Sequence, residues 1–272
     1  RLTRSSTRRV PNVTRTRNRT LQSIRRSVQS APKVFITGAS SGIGSALAQQ
    51  YAKQGAFLGL AARRGEQLQA LAETLTSAGA TQVLCYPLDV ADAAALRSAA
   101  DDFIARLGVP DIVIANAGVS LGTLTECAED LEVIKRIFEI NVYGMAATFS
   151  PFIAAMRQAA MDGKPGRLVG IASVAGIRGL PGAEAYSASK AATIAYLESL
   201  RLELRSSGVK VVTIAPGYIE TPMTAVNPYR MPFLLPADEA ARRFVRTIER
   251  GTSYTVIPWQ MGVVAKLLRL LP

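Results

Sequence analysis

A tyrosine and a lysine stand four residues apart in Tyr186-Ser187-Ala188-Ser189-Lys190, and Ser173 precedes the tyrosine by thirteen residues. Residues i and i+4 share one face of a helix, so the phenol and the ammonium would point the same way. A phenol with a pKa of about 10 is a poor base at neutral pH. A cation at ~4 Å and an effective dielectric of ~20 would favour the phenolate by up to ~4 kcal/mol, roughly three pKa units. The pair can therefore work as a general acid–base, although a Tyr and a Lys at this spacing usually just share a helix surface.

A glycine-rich turn follows the first predicted strand, in the segment Thr37-Gly38-Ala39-Ser40-Ser41-Gly42-Ile43-Gly44. Glycines allow a tight turn and a close approach of the backbone to a pyrophosphate, and the helix that begins there offers free N–H groups. The spacing G-x-x-x-G-x-G differs from the more common G-x-G-x-x-G, and such a turn can also serve packing alone. Its place directly after the first strand favours phosphate binding.

Two arginines, Arg63 and Arg64, follow the second predicted strand. An acid at this point would bond the adenosine ribose hydroxyls, whereas an arginine accommodates a 2′-phosphate. Arg63 therefore favours NADP(H) over NAD(H), and the alternative is that both arginines only solvate a strand end. Asp89 and Val90 close the third predicted strand, where they would contact an adenine, unless Asp89 simply caps the next helix.

The composition excludes several classes of site. The 272 residues include no histidine, which rules out Ser-His-Asp and Cys-His catalysis and imidazole-ligated zinc. Two cysteines, Cys85 and Cys127, are too few for a four-thiolate metal site and are predicted to be reduced and buried. No metal site is expected. No apolar run approaches the ~18–20 residues that a membrane-spanning helix needs.

Most of the net charge of +12 lies at the start of the chain. Residues 1–33 contain nine arginines, Lys33 and no acid, so the other residues carry 22 basic and 20 acidic side chains. The nearly neutral body gives no reason to expect a specific nucleic-acid partner. The extension of residues 1–31 is rich in Arg, Ser and Thr and is predicted to be disordered; a targeting peptide or a binder of anionic surfaces are the alternatives. We expect a cytoplasmic protein, with an organellar or peripheral-membrane location as the alternative.

Beyond the extension, short β-rich runs alternate with helical patterns. Strands are predicted at 34–37, 57–61, 82–86, 112–115, 168–171, 209–214 and 254–257. Helices are predicted near 43–54, 66–78, 92–107, 130–160, 186–207 and 237–250. The alternation predicts βαβ units, and the continuously apolar strands predict a sheet buried on both faces. We therefore expect one doubly wound α/β domain over residues 32–258, with a seven-stranded parallel sheet and helices on both faces.

Together these motifs resemble the classical short-chain dehydrogenase/reductase family, from about Val34 to Ile257. The matching positions are the glycine-rich turn at Thr37 to Gly44, N-A-G at Asn116-Ala117-Gly118, an asparagine at Asn141, a serine at Ser173, Y-x-x-x-K at Tyr186 and Lys190, P-G at Pro216-Gly217 and a threonine at Thr221. One departure is Ala115, where the family usually has a second asparagine; it is expected to weaken a structural bond near the fourth strand.

The resemblance implies a Rossmann-type domain and a catalytic set of Asn141, Ser173, Tyr186 and Lys190. Tyr186 would exchange a proton with the substrate oxygen, and Lys190 would lower the tyrosine pKa and bond the nicotinamide ribose. Ser173 would hold the substrate oxygen, and Asn141 would position a water. The residues expected to bind the cofactor are Gly38, Ser40, Ser41, Gly42, Ile43, Gly44, Arg63, Arg64, Asp89, Val90, Asn116, Ala117, Gly118, Tyr186, Lys190, Pro216, Gly217, Ile219 and Thr221.

Two further segments bear on the substrate and on partners. Residues 218–235 form a long irregular stretch with apolar side chains, which predicts a lid; with Ile177 and Leu180 it favours a hydrophobic substrate, unless these side chains pack against the domain or a subunit. The segment 259–272 is apolar with two cations. It is predicted to pack in the core or on a subunit, with peripheral contact to a membrane as the alternative.

The sequence thus predicts an NADP(H)-dependent oxidoreductase that interconverts a carbonyl and a secondary alcohol on a hydrophobic substrate. The resemblance implies a homodimer or homotetramer, with the helices near 130–160 and 186–207 as the interface. A 3-oxoacyl thioester reductase of the same family and a non-catalytic nucleotide-binding sensor or scaffold are the alternatives.

Overall fold

The computed structural model of the chain describes residues 31–270, where seven strands form one parallel sheet in the order β3-β2-β1-β4-β5-β6-β7. The strands β1 to β7 are Lys33–Thr37, Phe57–Ala62, Gln82–Pro87, Ile112–Ala115, Arg167–Ile171, Lys210–Pro216 and Tyr254–Ile257. The helices α1 to α8 are Gly42–Ala52, Gly65–Ser77, Ala93–Leu107, Asp130–Phe138, Gly144–Met161, Glu184–Glu203, Ala237–Arg250 and Trp259–Leu270. The predicted seven-stranded, doubly wound fold is confirmed. The predicted disorder of residues 1–31 falls, apart from Ala31, outside the described residues.

The core consists of two apolar layers, one on each face of the sheet. Val34 and Ile36 of β1 belong to the layer that α1, α2 and α7 cover, whereas Phe35 between them belongs to the layer under α3, α5 and α6. Successive residues of a strand point to opposite faces, so a strand with both faces buried must be apolar at every position. This requirement explains the unbroken apolar runs in the sequence.

The predicted helix near 130–160 is interrupted. A π-helical segment, Glu139–Tyr143, separates α4 from α5. A periodicity argument treats the whole stretch as one α-helix because a single wider turn leaves the apolar pattern almost unchanged. By length and composition alone the stretch Asp130–Met161 is long and apolar enough to cross a membrane, contrary to the sequence prediction that no run approaches that length. Half of its most apolar window is buried inside the domain, as in a core helix.

The segment predicted as a lid is an irregular excursion closed at its base. Ile219 and Leu235 form an isolated parallel bridge, with the Glu220 N–H donating to the Leu235 carbonyl (2.8 Å) and the Leu235 N–H to the Tyr218 carbonyl (3.0 Å). These bonds fix the two ends of the loop while the residues between them stay largely exposed.

The cysteine prediction needs a correction, because Cys85 and Cys127 are free thiols but only half-buried.

Candidate active site

A cavity of about 350 Å³ opens at the carboxyl ends of the strands, between the loops that follow β1 to β6. Ligands of open parallel sheets bind at this edge. The sequence-predicted site residues line the cavity with two exceptions, Gly44 and Asn141. The predicted residues that line the cavity are Gly38, Ser40, Ser41, Gly42, Ile43, Arg63, Arg64, Asp89, Val90, Asn116, Ala117, Gly118, Ser173, Tyr186, Lys190, Pro216, Gly217, Ile219 and Thr221.

The glycine-rich turn brings the first loop and the fourth strand into close contact. Gly38 has a φ of +66°, and a Cβ on it would stand 2.7 Å from the Cα of Ala117. Gly44 serves packing rather than the cavity wall, since a Cβ there would stand 2.3 Å from the Gly38 carbonyl oxygen. Ser41 is the N-cap of α1, and its side chain makes no capping bond. The first-turn N–H groups that it leaves uncapped are suited to a phosphate, so the turn fits a dinucleotide.

Arg64 reaches back from the end of β2 to the glycine-rich turn. Its Nη2 donates to the Ser40 hydroxyl oxygen (2.9 Å) and to the Ser41 hydroxyl oxygen (2.8 Å). Arg63 interacts electrostatically with Asp89 instead. The sequence argument gave the leading role to Arg63, but the structure brings Arg64 to the serines. Adjacent residues of a strand end point in different directions, and the sequence does not say which of the two faces the turn.

Asp89 does not cap a helix, so that alternative reading is wrong. Asp92 is the N-cap of α3, whereas Asp89 accepts from the Ala91 N–H (3.0 Å) and forms an ion pair with Arg136. Burial by itself would raise the pKa of the Asp89 carboxyl, but these donors outweigh it and hold that pKa below its usual value. Arg136 also bonds Glu139 at 3.3 Å. The sequence analysis missed Arg136, which lies far from Asp89 along the chain.

Asn116 ties the ends of β1 and β4 together. Its Nδ2 donates to the carbonyl oxygens of Thr37 (3.0 Å) and Gly38 (3.2 Å), and its N–H donates to the Thr37 hydroxyl oxygen (3.2 Å). Ala115, the departure from the family pattern, is buried at the end of β4. The three Asn116 bonds fix the first loop against the fourth strand despite that departure.

Ser173, Tyr186 and Lys190 converge on one wall of the cavity. Ser173 caps a 3₁₀ turn, Val174–Gly176, by accepting from the Ala175 N–H (3.1 Å), and it also hydrogen-bonds the Tyr186 phenol. The Lys190 ammonium donates to the Ile171 carbonyl (3.0 Å) and lies 5.8 Å from the centroid of the Tyr186 ring. The helical i, i+4 spacing thus places the phenol and the ammonium side by side, next to a hydroxyl.

The electrostatics of this wall differ from the sequence expectation. Burial raises the pKa of the Tyr186 phenol, while the hydrogen bond from Ser173 acts in the opposite direction. Burial also lowers the pKa of Lys190 to about 8. The expected lowering of the tyrosine pKa by Lys190 therefore does not appear in the chain itself. The sequence estimate assumed ~4 Å between the two charges and left out desolvation, which here opposes both charged forms.

Asn141 stands behind the cavity and joins three segments. Its Oδ1 accepts from the Val119 N–H (2.9 Å), and its Nδ2 donates to the Val119 carbonyl (3.0 Å) and the Ser189 hydroxyl (2.9 Å). A Cβ on Gly118 would stand 3.2 Å from Asn141 Oδ1 and 3.4 Å from Lys190 Nζ. Asn141 thus links the loop after β4 to the helix that carries Tyr186, and its predicted role in positioning a water stays a prediction.

Several wall residues were absent from the sequence prediction. They are Ala62, Leu88, Val119, Ile140, Ile171, Ala172, Pro222, Met223 and Thr224. Most of them are neighbours of a motif, and extending each motif by two or three residues would have found them. Pro222 to Thr224 belong to the segment predicted as a lid. The Thr224 hydroxyl donates to the Ile219 carbonyl (2.6 Å), which holds this end of the loop against the cavity.

Comparisons with known proteins agree on one family. The family model for short chain dehydrogenases matches residues 32–230. An uncharacterized oxidoreductase of Myxococcus xanthus is 41% identical over 238 residues, covering 88% of this chain and 92% of the relative. An 11-beta-hydroxysteroid dehydrogenase-like protein 3 of Arabidopsis thaliana is 36% identical over 230 residues, covering 83% and 72%. Among solved structures, a short chain dehydrogenase/reductase of Burkholderia phymatum in complex with NAD superposes with a TM-score of 0.78 at 26% identity, covering 87% of this chain and 92% of that one.

Proposed function

The chain belongs to the short chain dehydrogenase family and is an oxidoreductase that acts on CH–OH groups with a nicotinamide dinucleotide, and from this premise we propose that it is an NADP(H)-dependent enzyme interconverting a carbonyl and a secondary alcohol on a hydrophobic substrate. One observation carries the proposal. Ser173, Tyr186 and Lys190 line the same cavity as the glycine-rich turn and Arg64, so proton transfer and nucleotide binding share one site.

The nucleotide, when bound, supplies or accepts the hydride. The chain's own residues handle the proton and the position of the substrate. The Tyr186 hydroxyl donates its proton to the carbonyl oxygen during reduction and takes one from the alcohol during oxidation. The raised pKa of Tyr186 keeps the phenol protonated at neutral pH, which is the form that reduction needs. Ser173, already hydrogen-bonded to Tyr186, holds the substrate oxygen against it.

The preference for NADP(H) is supported by the pair of hydroxyls that Arg64 holds. Ser40 and Ser41 lie 2.9 Å and 2.8 Å from its guanidinium, which forms a small donor cluster at the end of β2. A 2′-phosphate on the adenosine ribose is recognised at this position of such folds. Arg63 adds a second positive charge next to it, and the acid that would select a free ribose hydroxyl is absent from Ala62-Arg63-Arg64.

A hydrophobic substrate is supported by the loop at the mouth of the cavity. Met223 lines the wall, while Tyr229 and Phe233 are exposed on the same loop. An apolar ligand that covered these side chains would remove them from water. A 3-oxoacyl thioester is the alternative within the same chemistry. A homodimer or homotetramer and a cytoplasmic location stay predictions that complete this proposal.

The experiment that tests the proposal combines nucleotide binding with turnover. We expect the purified chain to bind NADPH more tightly than NADH and to consume NADPH with at least one ketone from a panel of aliphatic, aromatic and acyl-thioester compounds. Tyr186→Phe should lower turnover by about 10²–10⁴-fold and keep NADPH binding, whereas Tyr254→Phe, on the sheet edge, should change neither. Binding without turnover of any ketone would favour the sensor reading, and failure to bind either nucleotide would refute the proposal.

A further inference from the structure

The C-terminal helix α8 is apolar on two opposite faces. Met261 and Ala265 are buried against the domain, as a packing helix requires. A second row consists of Trp259, Val263, Leu267 and Leu270, which are 69%, 47%, 58% and 82% exposed. Their spacing of four, four and three residues places all of them on one side of the helix, here called the outer stripe. Large apolar side chains that line up on a surface mark an interaction site.

Both charged side chains of α8 itself are positive. Lys266 and Arg269 are exposed on α8, and the helix contains no acidic residue. The first 33 residues of the chain carry ten basic side chains and no acid. An apolar helix face that lies at an interface gives weak membrane attachment by itself, and a polybasic segment in the same chain supplies the second signal that makes attachment stable. The two cations of α8 therefore favour an anionic lipid surface as its partner.

Helix α8 also borders the candidate active site. Met261 packs against Gly217, where a Cβ would stand 2.6 Å from the methionine Cγ, and Gly217 lines the nucleotide cavity. At the other end of the helix, Arg269 lines a second cavity together with Leu180 and Pro181, in the loop between Ser173 and Tyr186. Leu180 is itself exposed, so an apolar side chain of the loop before Tyr186 lies at the surface close to the end of α8.

We propose that the outer stripe of α8 lies in the surface of an anionic lipid bilayer, with Lys266 and Arg269 among the headgroups. Such an attachment brings the loop of Leu180 to the lipid surface, so an apolar substrate dissolved in the bilayer enters the site from there. This last step rests on the proposed function, whereas the attachment does not.

Trp259 provides a direct test because it is the only tryptophan in the sequence. The full chain is mixed, without any ketone, with vesicles of phosphatidylcholine alone or of phosphatidylcholine with phosphatidylserine, each made with and without brominated acyl chains. With the anionic vesicles we expect the Trp259 emission to shift to the blue and to be quenched by the brominated lipid. In V263E/L267E the apparent partition coefficient from this quenching should fall at least about tenfold. Leu202→Glu, at a residue 68% exposed on α6, should leave it unchanged.

Three outcomes overturn the attachment. Binding to vesicles without quenching of Trp259 would show that the arginine-rich segment acts without α8. A blue shift that grows with protein concentration in the absence of lipid would show that a second copy covers the stripe. Quenching that survives V263E/L267E would show that the stripe is not the contact. NADPH binding by the same variant verifies that it is folded, and a chain that binds vesicles but turns over no ketone refutes the proposed function while the attachment stands.

Discussion

Replacing Arg64 by alanine should discriminate between NADPH and NADH. The Arg64 guanidinium donates to the hydroxyls of Ser40 and Ser41, so a 2′-phosphate bound there would receive a charge-assisted hydrogen bond from it. Such a bond contributes about 1.5–3 kcal/mol, and the exposure of Arg64 argues for the lower half of that range. A loss of about 2 kcal/mol raises the Kd for NADPH about 30-fold. NADH lacks the phosphate, and its Kd should change by less than about threefold.

The assay is a calorimetric titration of each nucleotide at two salt concentrations. Arg64→Lys should recover only part of the loss, because an ammonium is a point charge and lacks the planar fork of donors with which a guanidinium matches a phosphate. Added salt should reduce the difference in the Kd for NADPH between wild type and Arg64→Ala, since the site is exposed to solvent. Arg63→Ala is the matched variant. It should raise the Kd for NADPH less than Arg64→Ala does, because Arg63 interacts with Asp89.

Equal weakening of NADPH and NADH by Arg64→Ala would refute the reasoning, because the arginine would then support the turn rather than recognise a phosphate. A larger effect of Arg63→Ala than of Arg64→Ala would return the leading role to Arg63, as the sequence argument had it. Both results would leave the catalytic assignment untouched, since the test measures binding only.

Three further predictions concern the catalytic wall. Tyr186→Phe should lower kcat by about 10²–10⁴-fold with little change in the Kd for NADPH, and an unchanged kcat in stopped-flow turnover would exclude Tyr186 as the acid. With its pKa at about 8, Lys190 loses its charge as the pH rises through that value, so kcat/KM for reduction should fall above pH 8. Lys190→Arg should move this fall to higher pH, and a pH profile identical to that of the wild type would contradict the prediction. Asn141→Ala leaves the partly buried N–H of Val119 and the buried Ser189 hydroxyl without this partner, so we expect a loss of about 1–3 kcal/mol in the free energy of unfolding, measured by urea denaturation; an unchanged midpoint would argue against a structural role.

The fold was predictable because its rules act over short distances along the chain. Each buried strand is an apolar run between turn residues, and each motif keeps a fixed spacing inside one strand-turn-helix unit. The Tyr186 to Lys190 spacing predicts a shared helix face wherever the helix packs. The same kind of argument predicted Ser173 just past a strand end, where the cavity forms, whereas Asn116 was predicted from the family resemblance.

The features that the sequence did not predict depend on contacts between distant segments or on burial. Arg136 contacts Asp89 only because α4 packs beside the loop after β3, and the two residues are 47 positions apart. The choice between Arg63 and Arg64 depends on side-chain directions at a strand end. The raised pKa of Tyr186 results from desolvation, which pairwise spacing does not contain.

The π-helical segment Glu139–Tyr143 constrains how this chain can change in length. Each residue advances the backbone about 100° around an α-helix axis, so one residue gained or lost here would rotate α4 by that angle relative to α5. Asn141 would then lose its hydrogen bonds to Val119 and Ser189, or the buried face of α5 would turn to solvent. A substitution in this segment alters one side chain, whereas a one-residue insertion or deletion changes the phase of the whole helix. Apart from Asn141, we therefore expect the segment to tolerate changes of residue type far better than changes of residue number.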